Sequence, residues 1–118
     1  MPKIFLAEDD QTMVTLLETL LSIEGFETVS LDLAGGNLFS TLESDIPEIL
    51  LLDVNLPGTS GLDIVRKMRA DSRFDETRVV MASGMSVKEE CLASGADAFL
   101  LKPYMPDALI DILKKYSV

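Results

Sequence analysis

The feature that most constrains this chain is a regular alternation of two hydrophobic patterns. Short apolar runs recur at Lys3 to Ala7 (KIFLA), Ile49 to Leu52 (ILLL), Arg78 to Ala82 (RVVMA) and Ala98 to Leu101 (AFLL), with a more polar run at Glu27 to Leu31 (ETVSL). Runs of this length suit strands, and an unbroken one such as ILLL suits a central strand covered on both faces. Between them the apolar residues fall three and four apart, as in Leu16, Leu17, Leu20 and Leu21, then Leu62, Val65 and Met68, and finally Leu109, Ile112, Leu113 and Tyr116. That spacing predicts amphipathic helices. Gly25 and Gly95 stand where helices need a left-handed cap, and Val87 to Ser94 reads as a short helix closed by Gly95. A weaker helix is expected around Asn37 to Glu43. The preceding Gly35-Gly36 predicts that it starts late or forms poorly.

Five strands alternating with five helices predict an α/β fold, because parallel neighbours need crossover connections and those are right-handed. At this size the expected arrangement is the flavodoxin-like (βα)5 doubly wound sheet, five parallel strands in the order 2-1-3-4-5. That order places the polar second strand at an edge and the third in the middle. At 118 residues the chain is expected to form one domain over residues 1–118.

Four of the strands end in residues suited to one site. Glu8, Asp9 and Asp10 follow the first strand, Asp53 the third, Ser83 the fourth and Lys102 the fifth. In the predicted order these residues gather at the carboxyl edge of the sheet, beside the switch point where open α/β sheets bind ligands. Carboxylates brought together there raise one another's pKa and cost stability unless a cation neutralises them. An all-oxygen site with access to water suits Mg2+, which keeps several waters and completes its shell with a phosphate. An aspartate can itself be the nucleophile that takes a phosphoryl group, and Asp53 is the natural candidate. Lys102 and the Ser83 hydroxyl would serve phosphate oxygens.

Charge and composition narrow the partners. The net charge is −10, from 20 acidic and 10 basic residues, so direct contact with nucleic acid is disfavoured. There is neither a membrane-length apolar stretch nor a signal segment, which leads to the expectation of a cytoplasmic protein. The single cysteine, Cys91, has no histidine anywhere in the chain to activate it and reads as a small core or surface residue rather than a nucleophile.

The EDD after strand one, LLLDVNLPGTSG around Asp53, VVMASG ending in Ser83-Gly84, and GADAFLLKPY with Lys102-Pro103 together resemble the receiver domain of two-component response regulators. The resemblance covers the whole chain, in order. It implies that Asp53 is the phosphoacceptor, Asp9 a direct Mg2+ ligand, Glu8 a ligand acting largely through water, and Asn55 a ligand through its backbone carbonyl. It further implies that Ser83 and Phe99 are the switch pair, that Lys102 binds phosphate, and that the Lys102-Pro103 bond is cis. The donor would be a phosphohistidine on a separate histidine kinase or phosphotransfer protein. The response would be altered partner affinity across helix 4, strand 5 and helix 5. With no output domain after Val118, the chain resembles stand-alone receivers or one excised from a longer regulator or hybrid kinase. The interval from Ser83 to Lys102 is about one helical turn shorter than the family pattern implies, so helix 4 is expected to be truncated. Asn55 and Met85 occupy positions that set the phosphoryl lifetime in the family.

Plainer roles stand beside these. Asp10 fits a cap for helix 1, Phe99 fits a packed core aromatic, and Ser83 alone fits a turn hydroxyl. Pro57, Gly58 and Gly61 read as turn residues, and Arg66, Lys67 and Arg69 as a solvated helix face. Two other functions compete. Asp53-Val54-Asn55 partly resembles the nucleophile motif of Mg2+-dependent haloacid-dehalogenase-like phosphatases, although here the acid pair comes first and Asn55 replaces the second aspartate. A pseudo-receiver that only docks partners is the other. The intact set Glu8, Asp9, Asp53, Ser83 and Lys102 argues against a docking-only role, and the reading favoured over both is a phosphoacceptor that turns over no separate substrate.

Overall fold

The computed structural model of the protein describes residues 2–33 and 38–116. Five strands form one parallel sheet: β1 (Lys3–Ala7), β2 (Glu27–Ser30), β3 (Ile49–Asp53), β4 (Arg78–Ser83) and β5 (Ala98–Leu101). Their spatial order is β2-β1-β3-β4-β5, as the alternation of patterns predicts. Five helices connect or follow them: α1 (Gln11–Ile23), α2 (Leu38–Ser44), α3 (Gly61–Arg69), α4 (Lys88–Ser94) and α5 (Pro106–Tyr116).

Successive side chains of a strand point to opposite faces, and the two halves of the core follow from that. Phe5, Ala7, Leu50, Leu52, Val79 and Met81 face α2, α3 and α4, meeting Leu42, Val65, Met68, Phe74 and Cys91. Ile4, Leu6, Ile49, Leu51, Val80 and Ala82 face α1 and α5, meeting Leu17, Leu21, Leu109 and Leu113. All five residues of β3 are buried, as a central strand requires, whereas β2 is an edge whose residues are exposed or half-buried. Of the core and surface places open to Cys91, the structure gives it the core.

The helices depart from the sequence reading in detail. The inward face of α1 is Val14, Leu17 and Leu21, while Leu16 lies outside it at 47% exposure. The run of paired leucines is wider than the stripe one helix can bury. Asp10 caps α1, its Oδ1 accepting from the N–H groups of Thr12 (3.0 Å) and Met13 (3.2 Å). Helix α2 begins at Leu38; Gly35, Gly36 and Asn37 lie outside the described residues. Helix α4 has seven residues and is as short as expected, ending at Gly95 with φ 116°.

One correction concerns charge. Arg66 is exposed and pairs with Asp63, but Arg69 does not belong to a solvated face. Its guanidinium is one-quarter exposed and donates to the carbonyls of Gly95, Phe74 and Thr77 and to Asp97. A pattern of charges along a helix cannot show that the last turn faces the carbonyls of two connections, α3 to β4 and α4 to β5.

Candidate functional site

The order β1-β3-β4-β5 brings the four strand ends side by side. Leu52 of β3 is level with Ala7 of β1 and Met81 of β4, so Glu8 and Asp53 leave the sheet together. On the far side Ser83 is level with Leu101, and the Lys102 N–H donates to the Ser83 carbonyl at 2.8 Å. The loop after β3 closes tightly over Asp53. Asn55–Leu56 and Thr59–Ser60 pair as a two-rung hairpin, and the Gly61 N–H donates to the Val54 carbonyl at 2.7 Å. A Cβ at Gly61 would overlap the Asp53 carbonyl oxygen, so the loop reaches this geometry only with glycine there. Ser60 then caps α3, accepting from the Leu62 N–H. Gly61 is therefore more than a turn residue.

One carboxylate oxygen from each of Glu8, Asp9 and Asp53 lies within 4.8 Å of the others. Glu8 and Asp53 are buried, and Asp9 is exposed. The Lys102 ammonium sits between the two buried acids, 2.7 Å from Glu8 Oε2 and 2.8 Å from Asp53 Oδ1. The other Glu8 oxygen accepts from the Asp10 N–H at 3.1 Å. Asp10 itself is spent on the helix cap.

The electrostatics reflect crowding. Burial pushes the Asp53 carboxyl up from 3.8 to about 7, with Glu8 adding to the rise and Lys102 working against it. Burial disfavours the charged form of Lys102, but its bonds to Asp53 and Glu8 outweigh that and hold the pKa above the ordinary lysine value. The Tyr104 phenol is pushed up to about 12 by burial, with the charges of Lys102, Glu8 and Asp53 all acting on it. Tyr104 is a residue of this neighbourhood that the sequence alone did not single out. Its only signal was position, two residues beyond Lys102 and next to Pro103.

The remaining expected residues divide. Ser83 is buried one position beyond the residue level with Asp53, and its Oγ accepts from the Met85 N–H at 3.1 Å. Asn55 is exposed on the hairpin two residues after Asp53. The Lys102-Pro103 peptide is cis. Phe99 lies away from the carboxylates, half-buried, in a groove it lines with Ser86, Lys88, Glu89, Glu90 and Leu101.

The donor set is all oxygen, with two buried acids and one exposed acid opening to water, and among the described residues the cation bonded to it is Lys102. Hard, carboxylate-rich coordination of this kind fits Mg2+. Against known families, the response regulator receiver domain matches residues 4–114. The chain belongs to that family. Chemotaxis protein CheY1 of Helicobacter pylori (strain ATCC 700392 / 26695) is 31% identical over 116 residues, covering 95% of this chain and 94% of the relative. The phosphate regulon transcriptional regulatory protein PhoB of Rhizobium meliloti (strain 1021) is 32% identical over 117 residues, with 97% of this chain covered but only 51% of the relative. The receiver therefore spans about half of that transcriptional regulator and nearly all of the chemotaxis protein. Among solved structures, a CheY-like receiver domain protein from Methanospirillum hungatei JF-1 superposes with a TM-score of 0.84 at 26% identity, covering 98% of this chain and 92% of the other. The chain is thus a receiver domain of two-component signalling, and its acidic cluster fits the Mg2+-dependent phosphoacceptor site of such a domain. The match favours this reading over a haloacid-dehalogenase-like phosphatase.

Proposed function

We propose that Asp53 takes the phosphoryl group, from a phosphohistidine on a separate histidine kinase or phosphotransfer protein. The observation that carries the assignment is the meeting of Glu8, Asp9 and Asp53 around the Lys102 ammonium. A carboxylate oxygen of Asp53 attacks phosphorus, the bond from phosphorus to the donor imidazole nitrogen breaks, and the electron pair leaves with that nitrogen. The product is an acyl phosphate. Asp53 must be ionised to attack, and its raised pKa makes a neighbouring cation valuable.

Asp9, Asp53 and the Asn55 backbone carbonyl would hold Mg2+ directly, and Glu8 through water. When bound, the ion neutralises charge between these acids and the incoming phosphoryl oxygens. Lys102 supplies a second positive charge to one phosphoryl oxygen, and the Ser83 hydroxyl donates to another. Drawing Ser83 toward the phosphoryl group changes the loop between β4 and α4, and Phe99 answers on the neighbouring strand. The chain acts as a switch that is charged by its donor and hydrolyses its own acyl phosphate, without turning over a separate substrate. No described helix is long and apolar enough to cross a membrane, and we place the domain in the cytoplasm, over residues 1–118, as a protein-binding receiver without direct nucleic-acid contact.

Intact-protein mass spectrometry after incubation with acetyl phosphate tests this. One phosphoryl adduct that needs Mg2+ and is absent from Asp53→Asn is expected. No adduct on a folded wild type would instead support a docking-only pseudo-receiver.

A further inference from the structure

Helix α4 is held at its two ends by different means. At its C-terminal end Arg69, the last residue of α3, donates from Nε to the Gly95 carbonyl, from Nη1 to that of Phe74 and from Nη2 to that of Thr77, each at 2.9 Å. Nη2 also reaches Asp97 Oδ2 at 3.1 Å. Asp97 in turn is locked to β4, accepting from the Val79 N–H and donating its own N–H to the Val79 carbonyl, both at 2.8 Å. The stem of Arg69 fills the space that a Cβ on Gly95 would need. Cys91, Ser94 and Ala96 are buried around this end.

The N-terminal end has little of this. Gly84, Met85, Ser86, Lys88, Glu89 and Glu90 are exposed, and Val87 at the cap provides no side-chain bond. The loop is tied to the phosphoacceptor site through the Met85 N–H, which donates to Ser83 Oγ. The groove beside Phe99 and Leu101 runs against this end and leaves it room.

We propose that Arg69 is the fixed anchor of the switch: residues 84–90 rearrange while residues 91–97 stay held by the guanidinium, so that the change hinges between Glu90 and Cys91 and leaves the C-terminal end of α4 in place. The trigger rests on the phosphoacceptor reading above, since a Ser83 hydroxyl recruited by a phosphoryl group on Asp53 gives up its bond to Met85. Arg69 is a positioning residue and touches no reacting atom. A lysine there keeps the charge but presents one point donor group in place of a planar fork, and cannot hold three carbonyls and a carboxylate together.

Amide hydrogen exchange read by mass spectrometry, on wild type and Arg69→Lys, tests the anchor. In the ligand-free wild type, residues 84–90 are expected to exchange at least about tenfold faster than 91–97, and Arg69→Lys to narrow that gap below about threefold. Adding MgCl2 with beryllium fluoride, a phosphoryl mimic, is expected to alter exchange near Asp53 and in 84–90 while 91–97 stay within about twofold. In Arg69→Lys the alteration spreads into 91–97. A wild type whose 91–97 segment responds as strongly as 84–90, or a variant indistinguishable from wild type, overturns the proposal. Silence near Asp53 defeats the phosphoacceptor reading instead, and the ligand-free gradient still decides the anchor. Should Arg69→Lys fail to fold, the wild-type gradient decides alone.

Discussion

Replacing Asp53 with asparagine should make the protein more stable, and the gain should depend on pH in a calculable way. Burial and Glu8 raise the Asp53 pKa from 3.8 to about 7, so the native state prefers the protonated acid, whereas the unfolded chain ionises it near 3.8. Below pH 4 the carboxyl is protonated in both states and the raised pKa costs nothing. Between pH 4 and 7 the unfolded state alone loses the proton, and stability falls by about 1.4 kcal/mol per pH unit. Above pH 8 the loss levels off at roughly 4 kcal/mol. Asparagine copies the protonated form and is spared this loss. Taking the difference between variant and wild type cancels the other acids, which titrate in both proteins. The assay is urea unfolding in EDTA at pH 4, 6 and 8, with the expected difference near zero at pH 4 and about 2–4 kcal/mol at pH 8. Millimolar Mg2+ should shrink it, because the ion stabilises the wild-type site in proportion to its binding. Equal stabilities at pH 8, or a difference that does not grow with pH, would refute the claim that Asp53 is held in a crowded, desolvated site.

Gly61→Ala should cost about 1–3 kcal/mol, since its Cβ has no space beside the Asp53 carbonyl, and acetyl phosphate labelling should slow with it. A variant that labels and unfolds like wild type would remove that contact from the account. Leu50→Ala in β3, fully buried among both neighbouring strands, should lose about 2–5 kcal/mol in urea unfolding. Lys102→Met strips the ammonium from Glu8 and Asp53, and labelling should fall at least about tenfold at saturating Mg2+, as expected for the loss of a charge-assisted bond. Undiminished labelling would leave Lys102 with a structural role only.

What could be read from the sequence was whatever depends on pattern along the chain. ILLLD announced a strand buried on both faces, and its polar last residue announced a site at the strand end. The gathering of Glu8, Asp9, Asp53 and Lys102 followed from strand order alone, because a parallel sheet puts every strand's carboxyl end on one edge. Properties that depend on where a helix points were hidden. Leu16 looked like core and faces outward, and Arg69 looked solvated and ties two connections together. Both sit on regular helices, whose rotation is set by contacts distant in sequence. Gly61 was legible as a turn but not as the residue that lets the backbone approach Asp53. Phe99 was assigned by resemblance, and its half-buried place in the α4 groove fits both a packing and a switching role.

The switch depends on one acid, Asp53, becoming an acyl phosphate. Borohydride reduction after acetyl phosphate and Mg2+ treatment, followed by peptide mass spectrometry, tests it most directly because it converts an aspartyl phosphate to homoserine. Homoserine is expected at position 53 alone, and none when Mg2+ is chelated. An unchanged Asp53, or reduction at Asp9 or Asp10 instead, would contradict it.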